Sequence, residues 1–550
     1  MRSLLLCASL SVVSISNAQA PAIEWKKCLG GTLNDLTIDV EATSDGGIVA
    51  AIDARSSDGD VTGYHGLGDI WVVKLNNAGT IEWQRALGGS GNEGAMDIAE
   101  ASDGGILVAG YTFSNDGDVS GFHGGDGDLW VVKLTATGAL LWQRPLGGTA
   151  IPGDGFPPIN TYPPMWWPRV LVPTTDGGCF LGATARSTDG DVVGHHGEED
   201  LWIVKLGPAG ALEWQKPLGG SDRDELAGVE GTADGGVIAL GWTQSNDGDV
   251  TGNHGSDMWL VKLSAAGTLE WQRAMGGSTG AYAYDVRQTD DGGYIAQGHS
   301  VSTDGDLTGL PPYGLWLIKL DAAGGIEWQN RIGNFGEYYF TVQQTIDGGY
   351  ITAGTTRSSD GGDVSGYHGP DPTNGDYWVV KLSTTGSIEW QLCLGGDEAE
   401  ELRAFEVTND GGCIVHGNSY GSSNGDVTGN HGILDSWVAK VSGTGSLQWQ
   451  MSLGSTESEL ANVVHTTPDG GYIVATDVPS GNGNVTGSGY HDGWDTWLVK
   501  FASDGTGIDE ASMIDFTVSP VPATSTLQLS SATVGSIHLH DALGREVLNT

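Results

Sequence analysis

Residues 95–148 read AMDIAEASDGGILVAGYTFSNDGDVSGFHGGDGDLWVVKLTATGALLWQRPLGG, and this stretch decides the fold. It holds four short apolar-centred runs: one ahead of Asp103-Gly104-Gly105, then ILVAGYT, LWVVKL and ALLWQRPL. Gly and Asp turn signals bound each run, so each reads as a β-strand, named A to D in order. Asp-Gly-Gly between A and B supplies the positive-φ residue of a tight hairpin, and a Gly four residues before the D-strand Trp serves the C–D turn.

The unit recurs eight times. One Trp marks each C strand, from Trp71, Trp130 and Trp202 through to Trp497, and another each D strand, from Trp25 and Trp83 through to Trp449, at spacings of 57 to 72 residues. Four antiparallel strands per repeat make a propeller blade. The first run after the N-terminus, Ile23-Glu24-Trp25-Lys26-Lys27-Cys28-Leu29, is a D strand, whereas the eighth unit has A, B and C but no D-strand Trp. The expected fold is all-β: an eight-bladed β-propeller of four-stranded antiparallel blades over residues 21–508. Its N-terminal strand completes blade eight and covers an edge that would otherwise invite pairing with other chains.

Composition agrees. Gly (90) and Pro (19) are abundant, yet hydrophobic residues reach 39%, which excludes a disordered or collagen-like chain. A net charge of −45 repels phosphate backbones and argues against a nucleic-acid partner. Arg2, the apolar run Leu4 to Ile15 and Asn17-Ala18-Gln19-Ala20 read as a signal peptide over residues 1–20, and no other run is apolar enough to span a membrane. Cys393 and Cys413 fall on neighbouring strands, which leaves a disulfide open in an oxidising compartment.

In such blades the A–B and C–D turns share one rim, and the B–C and D–A loops the other. The first are short and the second long and polar, so ligand binding is expected on the B–C and D–A rim. Between blades two and three a Pro-rich insertion carries Phe156, Tyr162, Trp166 and Trp167, and nearby D–A loops add Tyr282 and Tyr338. These aromatics either plug the channel or offer flat faces to a sugar ring or peptide. The B–C loops repeat Asp-Gly-Asp, including Asp58 with Asp60, Asp116 with Asp118, and Asp247 with Asp249, a density of carboxylates that suits calcium.

A His and an Asp recur in seven B–C loops, from His65 with Asp69 to His491 with Asp495, and blade five loses both together, reading Gly309-Leu310-Pro311-Pro312-Tyr313-Gly314. A dyad copied seven times is expected to be structural. The Lys three residues after each C-strand Trp is expected to pair with D-strand carboxylates such as Glu82, Glu213, Glu270 and Glu327. Toward the axis, Glu41, Glu230, Arg287, Gln343, Glu406 and His465 vary from blade to blade and are the candidates for acid–base work in a polysaccharide lyase or hydrolase.

The pattern L-G-G-x, an apolar strand, D-G-G-x-x-x-x-G-x-T and then D-x-W-V-V-K-L-x-x-x-G-x-x-x-W resembles the bacterial β-propeller repeat family often labelled SBBP, across residues 23–501. The resemblance implies the fold and no particular activity. The G-x-x-x-W element is also similar to the docking motif of eight-bladed quinoproteins, which implies shared blade packing. Residues 509–550, with Phe516-Thr517-Val518-Ser519-Pro520-Val521-Pro522-Ala523 and Ile537-His538-Leu539-His540-Asp541, resemble the start of a type IX secretion sorting domain of Bacteroidetes. The expectation is a monomeric, secreted or surface-attached binding and adhesion module for a glycan or protein, exported by the type IX machinery, without a catalytic constellation.

Overall fold

A computed structural model describes residues 20–125, 127–149, 169–334, 337–358, 361–370 and 374–504, with 337–340 described by backbone alone, and four short strands beyond. Residues 1–19 of the expected signal peptide lie outside the described residues, as do Phe156, Tyr162, Trp166 and Trp167.

Blade one comprises strands Asp35–Ala42, Ile48–Ala54, Asp69–Leu75 and Ile81–Leu87, hydrogen-bonded in that order as an antiparallel sheet. The pattern repeats over residues 93–146, 171–218, 224–275, 281–332, 337–394 and 400–453. Blade eight takes A, B and C from residues 460–501 and its outermost strand from Ile23–Leu29, with Lys27 opposite Leu498 and Cys28 opposite Trp497. The chain is an eight-bladed β-propeller. Residues 22–503 form one compact unit. In the C-terminal segment, residues 517–519 pair with 528–530, and 538–540 with 546–549.

The core lies between blades: Trp71 and Val73 of blade one pack in a single apolar cluster with Ile473 and Leu498 of blade eight. Every C-strand Trp is fully buried. An indole N–H in such a place needs an acceptor, and in seven blades it donates to a D-strand Gln, as Trp71 Nε1 to Gln84 Oε1 at 2.5 Å and Trp259 Nε1 to Gln272 Oε1 at 2.7 Å. Blade eight departs from this because its closing strand carries Lys26 where the others carry Gln, and Trp497 Nε1 has no hydrogen-bond partner.

The D-strand Trp locks adjacent blades. Trp25 Nε1 donates to Asn77 O at 2.8 Å, and its ring lies so close to Gly79 (φ +72°) that a Cβ there would approach Trp25 Cδ2 to 2.5 Å. The same pairing recurs between Trp83 and Gly138 and between Trp214 and Gly267. The G-x-x-x-W element is therefore an interblade fastener: each Gly sits against the Trp of the preceding blade.

Three expectations change. The primary partner of each C-strand Lys is the Asp of the A–B turn: Lys74 to Asp45 at 3.0 Å, Lys133 to Asp103 at 2.6 Å and Lys440 to Asp410 at 2.8 Å. The D-strand carboxylates Glu82, Glu270 and Glu327 join at 3.0–3.5 Å, whereas Lys205 bonds Thr174 and Asp176. Cys393 and Cys413 are not joined by a disulfide and lie buried in two different apolar clusters. The A strand of blade three, Leu171–Pro173, is shorter than its counterparts in the other blades.

Candidate functional site

The two rims differ in construction. On the A–B rim each turn is closed on itself: Thr43 Oγ1 and Gly47 N donate to Asp45 Oδ1 at 2.6 and 2.9 Å, and the buried Lys74 ammonium reaches the same oxygen. Partial burial works against ionisation of Asp45, but these three donors outweigh it and hold the pKa at about 2.

On the opposite rim the Asp-Gly-Asp residues act as fasteners. Asp58 accepts from Thr32 N and Thr32 Oγ1 at 2.8 and 2.9 Å, Asp116 from Ser90 N at 2.7 Å and Asp247 from Ser221 N at 2.7 Å, so the first carboxylate of each pair ties the B–C loop to the D–A loop. The second carboxylate turns toward the preceding blade: Asp118 Oδ1 accepts from Arg85 at 3.0 Å, and Asp60 Oδ2 lies 3.7 Å from His491 Nε2. Asp60 and Asp249 also donate their amides to Gly30 O and Gly219 O. Of the six carboxylates considered for calcium, Asp58, Asp116 and Asp247 thus face the D–A loop and Asp60 and Asp118 the preceding blade, while Asp249 is placed by its amide; among the described residues no group of three or more His, Cys, Asp or Glu side chains is arranged to hold a metal ion.

The recurrent His–Asp pair is a loop brace. His65 N and Nδ1 both sit on Asp69 Oδ2, at 2.9 and 2.8 Å, and the arrangement repeats from His123 with Asp128 to His491 with Asp495. Each Asp heads a C strand and is fully buried. Burial pushes Asp69 and Asp128 upward, and Asp495 up to about 7 against the hydrogen bonds from His491. Among the described residues, five interblade junctions set a second buried acid beside this one, as Glu93 beside Asp69 and Glu459 beside Asp435: each pair brackets one glycine, with Asp69 Oδ1 and Glu93 Oε2 both 2.8 Å from where a Cβ of Gly88 would stand.

Exposed large apolar side chains gather on the B–C and D–A rim. Leu33, Leu67, Val193, Tyr282, Val301, Tyr313, Tyr420 and Ile433 all lie there, leaving only Leu141 on a D strand and Ile346 on an A–B turn among the described residues. Tyr282, expected to bind, is 65% exposed at the head of its A strand. Tyr338 lies opposite Thr355, its side chain outside the described atoms.

Along the inner wall the register aligns Glu41, Glu230, Arg287, Gln343, Glu406 and His465, each opposite a B-strand residue equivalent to Val49. The wall therefore brings these six together. Glu406 Oε2 is 3.1 Å from His465 Nδ1; burial disfavours the imidazolium, but Glu406, Glu41 and Asp39 raise its pKa to about 9. Arg169 and Arg287 approach the same Glu230 oxygen at 3.5 and 3.6 Å. Asp39, half-buried beside Asp97, is pushed up to about 7 by desolvation and by that neighbour.

No protein-family model matches the chain, and no curated protein matches it. Solved structures match over much of its length: the WD40 domain of Neurospora crassa Pan2 (9% identity, 74% of this chain and 89% of that one, TM-score 0.36), Sqt1 from Chaetomium thermophilum (7%, 86% and 100%, 0.42) and puromycin hydrolase (13%, 81% and 58%, 0.38). They carry no assignment of function to this chain.

Proposed function

We propose that the protein is a secreted or surface-attached binding module whose ligand, a glycan or an extracellular protein, docks on the B–C and D–A rim. The β-propeller is commonly a binding or scaffolding fold. The observation that carries the reading is the one-sided distribution of exposed apolar groups, among them Tyr282 at the head of an A strand and Leu67 and Ile433 on long loops whose frames are pinned by Asp58-type and His65-type hydrogen bonds. A rigid frame presenting apolar tips within a polar rim is the anatomy of a recognition surface. Residues 509–550 would serve type IX export, after residues 1–20 direct the chain across the inner membrane. The test is a glycan and extracellular-matrix array probed with the full chain, with and without calcium, beside a Trp166→Ala/Trp167→Ala variant. Saturable binding supports the reading, and loss in the variant would place the contact on the insertion; an array without binding for a folded chain would overturn it.

A second reading rests on the axial wall. The Glu406–His465 pair, with Glu41 and Asp39 close by, is confined to one part of the ring and holds a proton donor against carboxylates. That arrangement would suit a polysaccharide lyase or hydrolase acting at the channel. Turnover of acidic polysaccharide that is lost in His465→Gln would establish it.

A further inference from the structure

Blade five inverts the charge that every other blade buries. The D-strand residue opposite the C-strand Trp is small in the rest of the ring, as Ala86, Pro145, Ala274 and Ser452, but opposite Trp316 it is Arg331. Arg331 is 2% exposed. Its Nη1 donates to Ser302 O at 2.9 Å and to Pro311 O at 2.7 Å, beneath the B–C loop. Nε and Nη2 are buried without a hydrogen-bond partner, and no carboxylate among the described residues pairs with this guanidinium. Burial alone displaces its pKa, downward, yet an arginine keeps its proton, so among the described residues nothing compensates this buried positive charge.

The same blade has lost its anion. Leu315 is the equivalent of Ile70, both pairing with the last D-strand residue, so Gly314 occupies the place where Asp69 and its counterparts carry a buried carboxylate. The bracing His is gone as well. The two unused donors, Nε and Nη2, are the adjacent parallel pair of the guanidinium, the edge that grips a planar carboxylate in bidentate fashion. Overhead, Pro311, Pro312 and Tyr313 form an exposed roof, so the charge lies one loop-thickness from solvent. Burial and the Arg331 guanidinium lower the pKa of His299 and favour its neutral ring, which leaves the charge to the ligand.

We propose that Arg331 is the floor of an anion site beneath the blade-five B–C loop that takes a carboxylate-bearing ligand, the ligand supplying the carboxylate that the other seven blades carry in their own C strands. The inference stands on this blade alone and does not depend on the rim reading above.

Acetate is the probe. The full chain is titrated with sodium acetate against sodium chloride and sodium sulfate at constant ionic strength, following the thermal midpoint together with the line width of carboxyl-labelled acetate by carbon-13 magnetic resonance. A saturable rise in midpoint of about 1–3 °C with acetate is expected, with matching line broadening, little effect of sulfate and none of chloride. Arg331→Ala installs the residue blades one and four use at this position, so it is expected to fold and to lose both responses. An equal response to all three anions, persistence of both responses in Arg331→Ala, or no broadening with the native chain would overturn the proposal.

Discussion

At the scale of single residues, the ring is held by polar side chains that look ordinary in sequence. The Gln after seven of the eight D-strand Trp residues reads as a surface polar residue, because the strand alternates and faces solvent on one side. Its partner stands 13 residues earlier on the C strand, where only the structure shows an indole needing an acceptor. Gln272→Ala leaves Trp259 Nε1 buried without an acceptor and should lower stability by about 1–3 kcal/mol, measured by chemical denaturation. Lys26→Gln in the closing strand should act oppositely. It gives Trp497 an acceptor, and a Gln there can still donate to Asn484 O as Gln329 does to Asp306 O, so a gain of about 1 kcal/mol is expected.

Elements were the most legible level. Turn dipeptides, the two Trp markers and the order of strands at the two ends were enough to place 32 strands and to predict that the N-terminal strand completes blade eight. Less legible was whatever depended on which side chains meet across a turn. Asp45 reads as a turn residue, and the cross-strand rule points Lys74 to Glu82, but the hairpin brings the turn carboxylate onto the ammonium first. Likewise the Asp-Gly-Asp spacing does not show that Asp58 and Asp60 face opposite ways. The closing strand yields a test at this scale. A chain beginning at residue 32 lacks Ile23–Leu29 and exposes the edge of Asp495–Phe501, so it should unfold at lower temperature and aggregate, as read by light scattering during a thermal ramp. Adding a synthetic peptide of residues 21–31 should restore solubility.

For the whole molecule, the buried acids and the turn acids pull stability in opposite directions with pH. Asp45, Asp176, Asp234, Asp291 and Asp347 are held at about 2, so the stability they contribute is present above about pH 4 and is lost as pH falls toward 2. Asp53, Glu400, Glu459, Asp477 and Asp495 are raised to about 7, chiefly by burial; their contribution is complete below about pH 4 and is lost as pH rises through 7. His465, raised to about 9, adds a loss between about pH 6.5 and 9. The net charge of −45 acts in the same direction above the isoelectric point of 4.2. Calorimetry across pH 2–9 at constant ionic strength should therefore give a maximum between about pH 4 and 6 and a lower midpoint at pH 8; a midpoint rising steadily to pH 8 would mean that the interblade acids are ionised at no cost.

The proposed binding surface also belongs to the whole ring, since the apolar tips come from several blades and form a surface only when the ring closes. The decisive measurement compares two full-length variants on the ligand found by the array. Leu67→Ser/Tyr282→Ala/Ile433→Ser alters the B–C and D–A rim, and Leu141→Ser/Ile346→Ser alters the remaining exposed apolar positions. The account predicts at least a tenfold loss of affinity for the first, about 1.4 kcal/mol or more, and native affinity for the second. Binding that survives the rim substitutions but is lost with Leu141 and Ile346 would contradict it.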